Sequence, residues 1–250
     1  MIFRATTWTS VLALLAAPAM AQEMNFNRIA SFMVAENAPD AEESSAEIIS
    51  ATSDGMTLVY TDGPAEIVGF IDISDPANPV AAGAIDLDGE PTSVFVSGMT
   101  AYLGENTSED YINVSGVLHA IDVPTKTVLA SCDLGGQPDS VAVAPDGSFV
   151  AVAIENERDE DLGDGRVGQM PAGFVVIVPT TDGGLDCAGM ITADITGLAD
   201  VAPEDPEPEF VAINGENEIV VTLQENNHMV VLAADGSVLN HFSAGSVKLE

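Results

Sequence analysis

Short apolar runs follow one another along this chain, each ended within a few residues by a turn-forming pair. Four stretches share one pattern. Glu47-Ile-Ile-Ser-Ala-Thr-Ser-Asp-Gly55 leads into Met56 to Tyr60, and Thr92-Ser-Val-Phe-Val-Ser-Gly98 leads into Thr100 to Leu103. Asp139-Ser-Val-Ala-Val-Ala-Pro-Asp-Gly147 leads into Phe149 to Ile154, and Glu209-Phe-Val-Ala-Ile-Asn-Gly215 leads into Glu218 to Leu223. Each reads as a strand, a tight turn and a second strand, because Asp-Gly and Asn-Gly pairs suit turns that need a positive φ. Two further strands follow in every unit. They are predicted at Ile67 to Ile73 and Val80 to Leu87, then at Val117 to Val123 and Thr127 to Leu134. In the later units they fall at Gly173 to Val178 and Cys187 to Ala193, then at Met229 to Ala233 and Ser237 to Ser243.

The unit starts Glu47, Thr92, Asp139 and Glu209 lie 45, 47 and 70 residues apart. A blade of a β-propeller takes roughly 40–50 residues for its four strands, so the third unit carries an insertion. The expected fold is therefore all-β: a propeller of four-stranded antiparallel blades near 45–91, 92–138, 139–208 and 209–247. A β-sandwich with similar strand spacing is the alternative. The run Asn27 to Ala35 reads as one more strand with no unit of its own. It suggests pairing with a closing blade beyond the chain, an incomplete ring and an N-terminal fragment, with a closed four-bladed ring as runner-up.

Residues 1–21 have the order of an export signal: Arg4, an apolar run from Val11 to Ala17, and Ala19-Met20-Ala21 before the cut. The domain is then 22–250, exported to a periplasmic or extracellular space, and no later segment reads as a membrane span. Six Lys and Arg stand against 40 Asp and Glu, a formal net charge of −34. That field repels nucleic acid and anionic lipid and attracts cations; solubility in salty surroundings, where salt screens the repulsion, is the plainer explanation of the charge. With 46% hydrophobic residues the chain is able to build a core all the same. Its two cysteines, Cys132 and Cys187, are able to pair in an oxidising compartment or to stay as buried thiols; their spacing fits neither a zinc ribbon nor a CxxC motif.

Candidate chemistry lies in two acidic concentrations. The insertion holds six carboxylates from Glu155 to Asp164, including Asp159 and Asp161, a density of hard oxygen donors that suits Ca²⁺. It is not an EF-hand, because Met170 stands where the bidentate Glu would fall. A solvated acidic loop is the plainer reading. The second concentration is Asp205-Pro-Glu-Pro-Glu209. Glu47, Asp139 and Glu209 open three units at equivalent places, where innermost strands meet a channel mouth. Carboxylates gathered there repel unless a cation or a proton relieves them; otherwise they turn sideways and cap backbone amides. Leu223-Gln-Glu-Asn-Asn-His228 reads as a turn brace. Nucleophilic catalysis has little support: His119, His228 and His241 are the whole histidine set, none in a nucleophile motif, and His119 and His241 read as packing residues within strands. Arg158 and Arg166 are the cationic groups of the insertion.

Gly136-Gln-Pro-Asp-Ser-Val-Ala-Val143, Glu155 to Asp161, Pro206-Glu-Pro-Glu-Phe-Val211 and Thr222-Leu-Gln-Glu-Asn-Asn227 together resemble the propeller region of secreted bacterial choice-of-anchor I proteins. The resemblance runs from about Ile29 to the end and is nearest to members credited with an esterase-like activity of phytase. It implies an exported propeller, with the named activity tied to a region beyond Glu250, and it carries over no catalytic residue. The expected function is a binding or scaffolding module with bound calcium, whose partner is another exported protein or a small ester. The alternative is a calcium-dependent phosphoester or carboxyl-ester hydrolase.

Overall fold

A computed structural model describes residues 27–159, 161–162, 168–181 and 184–246. The export signal, Arg166 and Asp164 lie outside the described residues.

The predicted turns fold each unit into one antiparallel sheet. The first blade holds β1 (Ala46–Ala51), β2 (Thr57–Asp62), β3 (Ile67–Asp72) and β4 (Val80–Asp86). The second holds β5 (Glu90–Ser97), β6 (Thr100–Asn106), β7 (Gly116–Asp122) and β8 (Thr127–Asp133). The third holds β9 (Pro138–Val143), β10 (Phe149–Ile154) and β11 (Phe174–Thr181), with β12 (Gly184–Leu185) and β13 (Ile191–Ala193) both on β11. The fourth holds β14 (Pro208–Ile213), β15 (Ile219–Leu223), β16 (His228–Leu232) and β17 (Val238–Ser243). The protein is an all-β propeller of such blades.

Gly55, Gly98 and Gly147 close the first three inner hairpins with φ of 70°, 64° and 73°. In the fourth hairpin Asn217, not Gly215, takes the positive φ, at 62°. The side chain of Asn214 accepts the N–H groups of Glu216 and Glu218 there, which holds the turn in another frame.

The inner strands pack in chain order, β1 on β5, β5 on β9 and β9 on β14. One serine ties each junction. Ser50 Oγ accepts the N–H of Val96, Ser93 Oγ that of Val141, and Ser140 Oγ that of Val211, at 2.9, 3.1 and 3.3 Å. Apolar layers fill the spaces between blades. Val59, Val68 and Phe70 meet Val94 and Leu103 between the first and second. Leu118 and Cys132 meet Val150, Val152 and Ile154 between the second and third, and Ala151, Val175 and Ile177 meet Ile219, Val221 and Leu223 between the third and fourth.

Two expected strands differ. Residues 27–33 have no regular structure and Val34–Glu36 form a 3-10 turn. Asn37 follows and anchors this segment on the first blade, donating from Nδ2 to Tyr60 Oη at 3.1 Å and to the Phe70 carbonyl at 2.8 Å. Side-chain anchoring onto a sheet face replaces ladder pairing. The run Cys187 to Ala193 is broken as well. Asp186 accepts the Gly189 N–H and winds Cys187–Gly189 into a 3-10 turn, so pairing resumes at Ile191. That turn carries the Cys132–Cys187 disulfide, which links β8 of the second blade to the third. Among the described residues no helix is long and apolar enough to cross a membrane.

Candidate functional site

One device recurs at the same end of every blade. At or just beyond the end of the second strand, a buried side chain accepts the backbone N–H that leads into the blade's first strand. Asp62 accepts from Ser45 at 2.8 Å, Glu105 from Gly89 at 2.7 Å, Asn156 from Gln137 at 3.0 Å and Asn226 from Glu207 at 2.9 Å. Asn226 also donates to the carbonyls of Val201, Ala202 and Asp205. Turn bracing by this amide matches the reading of its motif. The other three braces escaped the sequence because carboxylates and amides alternate among them; their shared place at the end of each second strand was the available signal.

The braces hold the entrance to the inner strands, and two strand openers meet there. Asp139 and Glu209 both line a cleft of about 500 Å³ with Phe210, Gln224, Asn227, His228 and Met229. Burial first, then the charges of Glu209 and Glu157, pushes Asp139 up to about 6. Glu155 follows β10 and is pushed up to about 8, by burial and then by Asp139, Glu209, Glu207 and Glu157. Glu209 is raised by burial and by Glu225. Like charges held in a half-buried place disfavour one another's ionised forms. The mouth thus holds carboxylates under mutual repulsion.

Arg158 is not among the charges acting on these three carboxylates. Arg158 is buried and donates from Nε to Asp205 Oδ2 at 2.7 Å and from Nη2 to the Asp205 carbonyl at 2.8 Å. Its Nη1 lies 3.2 Å from Glu207, whose other oxygen accepts the Arg158 N–H. Gln169 N–H donates to the same Asp205 oxygen, so this group ties the insertion to the segment entering the fourth blade. Its ion-pairing capacity is directed inward, and Arg158 is a structural cation.

The sequence-predicted metal candidates separate into three places. Asp139, Glu155 and Glu209 come together at the mouth. Glu47 lies exposed on β1, and it is not among the charges acting on those three. Asp159 lines a different cleft, of about 490 Å³, with Asp110, Tyr111, Ile112 and Met170, and its carboxylate accepts the Asp161 N–H. Among the described residues no three His, Cys, Asp or Glu side chains converge in a way that would hold a metal ion. The carboxylates of the mouth share a field rather than a coordination shell.

His119 is more than a packing residue. Its Nε2 lies 2.6 Å from Glu105 and its Nδ1 2.8 Å from Ser131 Oγ, which steadies the second-blade brace. His228 is buried beside the cleft, with Nε2 3.0 Å from His241 Nδ1. Burial and His241 hold its pKa below the ordinary histidine value, and its Nδ1 has no hydrogen-bond partner among the described residues.

Comparison with known proteins adds the family. The profile of the choice-of-anchor I domain matches residues 47–243. This chain belongs to the choice-of-anchor I family. No curated protein matches the sequence. Among solved structures, a streptogramin B lyase is similar over 82% of this chain and 56% of its own, at 14% identity and a TM-score of 0.55. Virginiamycin B lyase from Staphylococcus aureus, solved in an inactive form with quinupristin, is similar over 80% of this chain and 56% of its own, at 13% identity and a TM-score of 0.54. This choice-of-anchor I chain thus shares the propeller fold of those lyases and spans about half of their length.

Proposed function

We propose that this choice-of-anchor I propeller is an exported binding module that engages a cation-bearing partner through its carboxylate-rich mouth. The observation that carries the reading is the set Asp139, Glu155 and Glu209, raised by burial and by neighbouring carboxylates, with Arg158 already consumed by Asp205 and Glu207. A bound cation offsets repulsion that the fold otherwise has to tolerate. Ca²⁺ is the simplest such cation, being a hard ion that accepts flexible carboxylate geometry. Asp139, Glu155 and Glu209 would draw it to the mouth through their shared field, without the three forming a ready coordination shell. The disulfide between Cys132 and Cys187 and the Ala19-Met20-Ala21 signal support export.

The alternative, a calcium-dependent ester or phosphoester hydrolase, has less support. A phosphate substrate calls for cationic contacts, and the described arginine of the insertion is engaged internally. His228 beside the cleft is the group such a mechanism would draw on as a base.

The test is a thermal melt with and without Ca²⁺, on the parent and on Glu155→Gln with Glu209→Gln. We expect Ca²⁺ to raise the melting temperature of the parent, with the double variant losing most of that shift. An unchanged melt over millimolar Ca²⁺ removes calcium from the reading. Phosphomonoester or short-ester turnover abolished by Glu209→Gln replaces the binding reading with the hydrolase.

A further inference from the structure

One group of polar side chains on the second blade stands apart from the mouth and is bonded end to end. Glu105 Oε1 accepts the Gly89 N–H at 2.7 Å, and Glu105 Oε2 lies 2.6 Å from His119 Nε2. His119 Nδ1 lies in turn 2.8 Å from Ser131 Oγ. Exposure rises along this line: the Glu105 side chain is 4% exposed, that of His119 14%, and Ser131 is open to solvent. A carboxylate accepts and does not donate, so Glu105 takes the His119 Nε2–H. That leaves Nδ1 as an acceptor, and the Ser131 hydroxyl donates to it. A buried carboxylate thus fixes the tautomer of a base, and the base meets an exposed hydroxyl.

A blade folds without this group. In the first blade the brace is Asp62, and two residues before it Tyr60 faces Gly69, which faces Ala84. The same places on the second blade are Leu103, His119 and Ser131. The backbone under Ser131 is also held. The next residue, Cys132, is bonded to Cys187 of the third blade, and Cys187 Sγ lies 3.4 Å from the Ser131 carbonyl oxygen. That carbonyl is therefore directed off β8, away from β7, and the N–H of the same residue is directed with it. The edge thus carries a backbone donor beside the hydroxyl.

We propose that Ser131 is a catalytic nucleophile, with His119 as its general base and Glu105 as a positioning residue, and that its substrate is a small uncharged carboxylic ester. Ser131 Oγ bonds to the carbonyl carbon while its proton passes to His119 Nδ1. The bond from that carbon to the alcohol oxygen breaks, and the alcohol leaves with the proton. Water then attacks the acyl carbon, giving a proton to His119. The carboxylic acid departs, and His119 returns the proton to Ser131 Oγ. The Ser131 N–H is the donor for the charge that develops on the carbonyl oxygen. The net charge of −34 repels anionic phosphate esters, which leaves uncharged esters as the suited class. This site shares no residue with the mouth, so cation binding there and acyl transfer here stand or fall separately.

Diisopropyl fluorophosphate is the probe, because attack by Oγ on phosphorus expels fluoride and leaves an adduct that mass spectrometry locates. The parent is expected to carry one adduct, on Ser131, and to hydrolyse 4-nitrophenyl acetate. Ser131→Ala, at an exposed position, should melt like the parent and lose both. His119→Ala should slow both about 100-fold or more. Glu105→Gln keeps an acceptor for the Gly89 N–H and should lower kcat for 4-nitrophenyl acetate with KM unchanged. Glu209→Gln should leave both reactions at the parent rate, which separates this site from a hydrolase at the mouth. A parent unlabelled at Ser131 overturns the proposal. So does Ser131 labelling at the parent rate in His119→Ala, which would make the three side chains a cross-strand tie alone.

Discussion

The third and fourth blades are built from the same kind of strand and live in different surroundings. Every residue of β10 is buried, from Phe149 to Ile154, because one side packs on the second blade and the other on the fourth. β15 and β16 alternate instead: Ile219, Val221 and Leu223 are buried while Val220 and Thr222 between them are half-covered. Val220 and Val152 are chemically equivalent choices with different fates. The difference teaches that in a radial array burial is a property of the junction, so a strand contributes in proportion to the number of neighbours it has. It also explains where the mouth gathers charge. Asp139 and Glu209 open adjacent blades, and burial there removes much of the water that would otherwise screen them.

The comparison is broken most forcefully at the tie between these two blades. Arg158→Ala leaves Asp205 and Glu207 buried without their cation and should cost about 3–5 kcal/mol in denaturant unfolding. If the blades are coupled through it, amide exchange accelerates in β14 and β15 before β5 and β6. Uniform acceleration would mean that the tie is general rather than local.

A smaller pair of substitutions sharpens the contrast in burial. Ile177→Ala removes a side chain that is 1% exposed, between the third and fourth blades, and should cost about 2–5 kcal/mol. Phe242→Ser on the exposed β17 should stay within about 0.5 kcal/mol of the parent. Equal costs in urea unfolding would show that the outward face is covered within the monomer.

A third contrast is the pH dependence. Glu155 and Asp139 are raised in the folded chain, to about 8 and about 6, above the usual carboxylate values near 4. The folded state therefore holds more protons than the unfolded state in that interval. This contribution is fully present below about pH 4 and is lost as pH rises through about 6 and then 8. Melting temperature should fall from pH 5 to pH 8 at low salt, and Glu155→Gln should flatten the fall. A parent and variant with parallel profiles would place the proton uptake elsewhere.

Much of the architecture was legible because each unit repeats a local code. Strand, turn and strand recur with Gly55, Gly98 and Gly147 at the turn, and local geometry needs no distant partner to be read. Where a distant partner decides, the reading slipped. Residues 27–35 have strand-like composition and are anchored by Asn37 to Tyr60 and Phe70 instead. Cys187 to Ala193 is interrupted by the turn that Asp186 caps, where Cys187 bonds to Cys132. Of the mouth, the openers Asp139 and Glu209 were visible from their place in the repeat. Glu47 holds the same place and stands apart, since its position depends on which blades adjoin.

The sequence by itself determined the all-β class, the four-unit repeat, the family and the acidity, because periodicity, turn chemistry and charge are written residue by residue. Only the tertiary structure decided that Asp139, Glu155 and Glu209 lie in one electrostatic field, that Arg158 is spent on Asp205 and Glu207, and that Phe210 and Phe242 stay exposed. Those facts depend on which blade lies against which. Charge repulsion and burial act through space over a few ångströms, across residues that the chain keeps tens of positions apart.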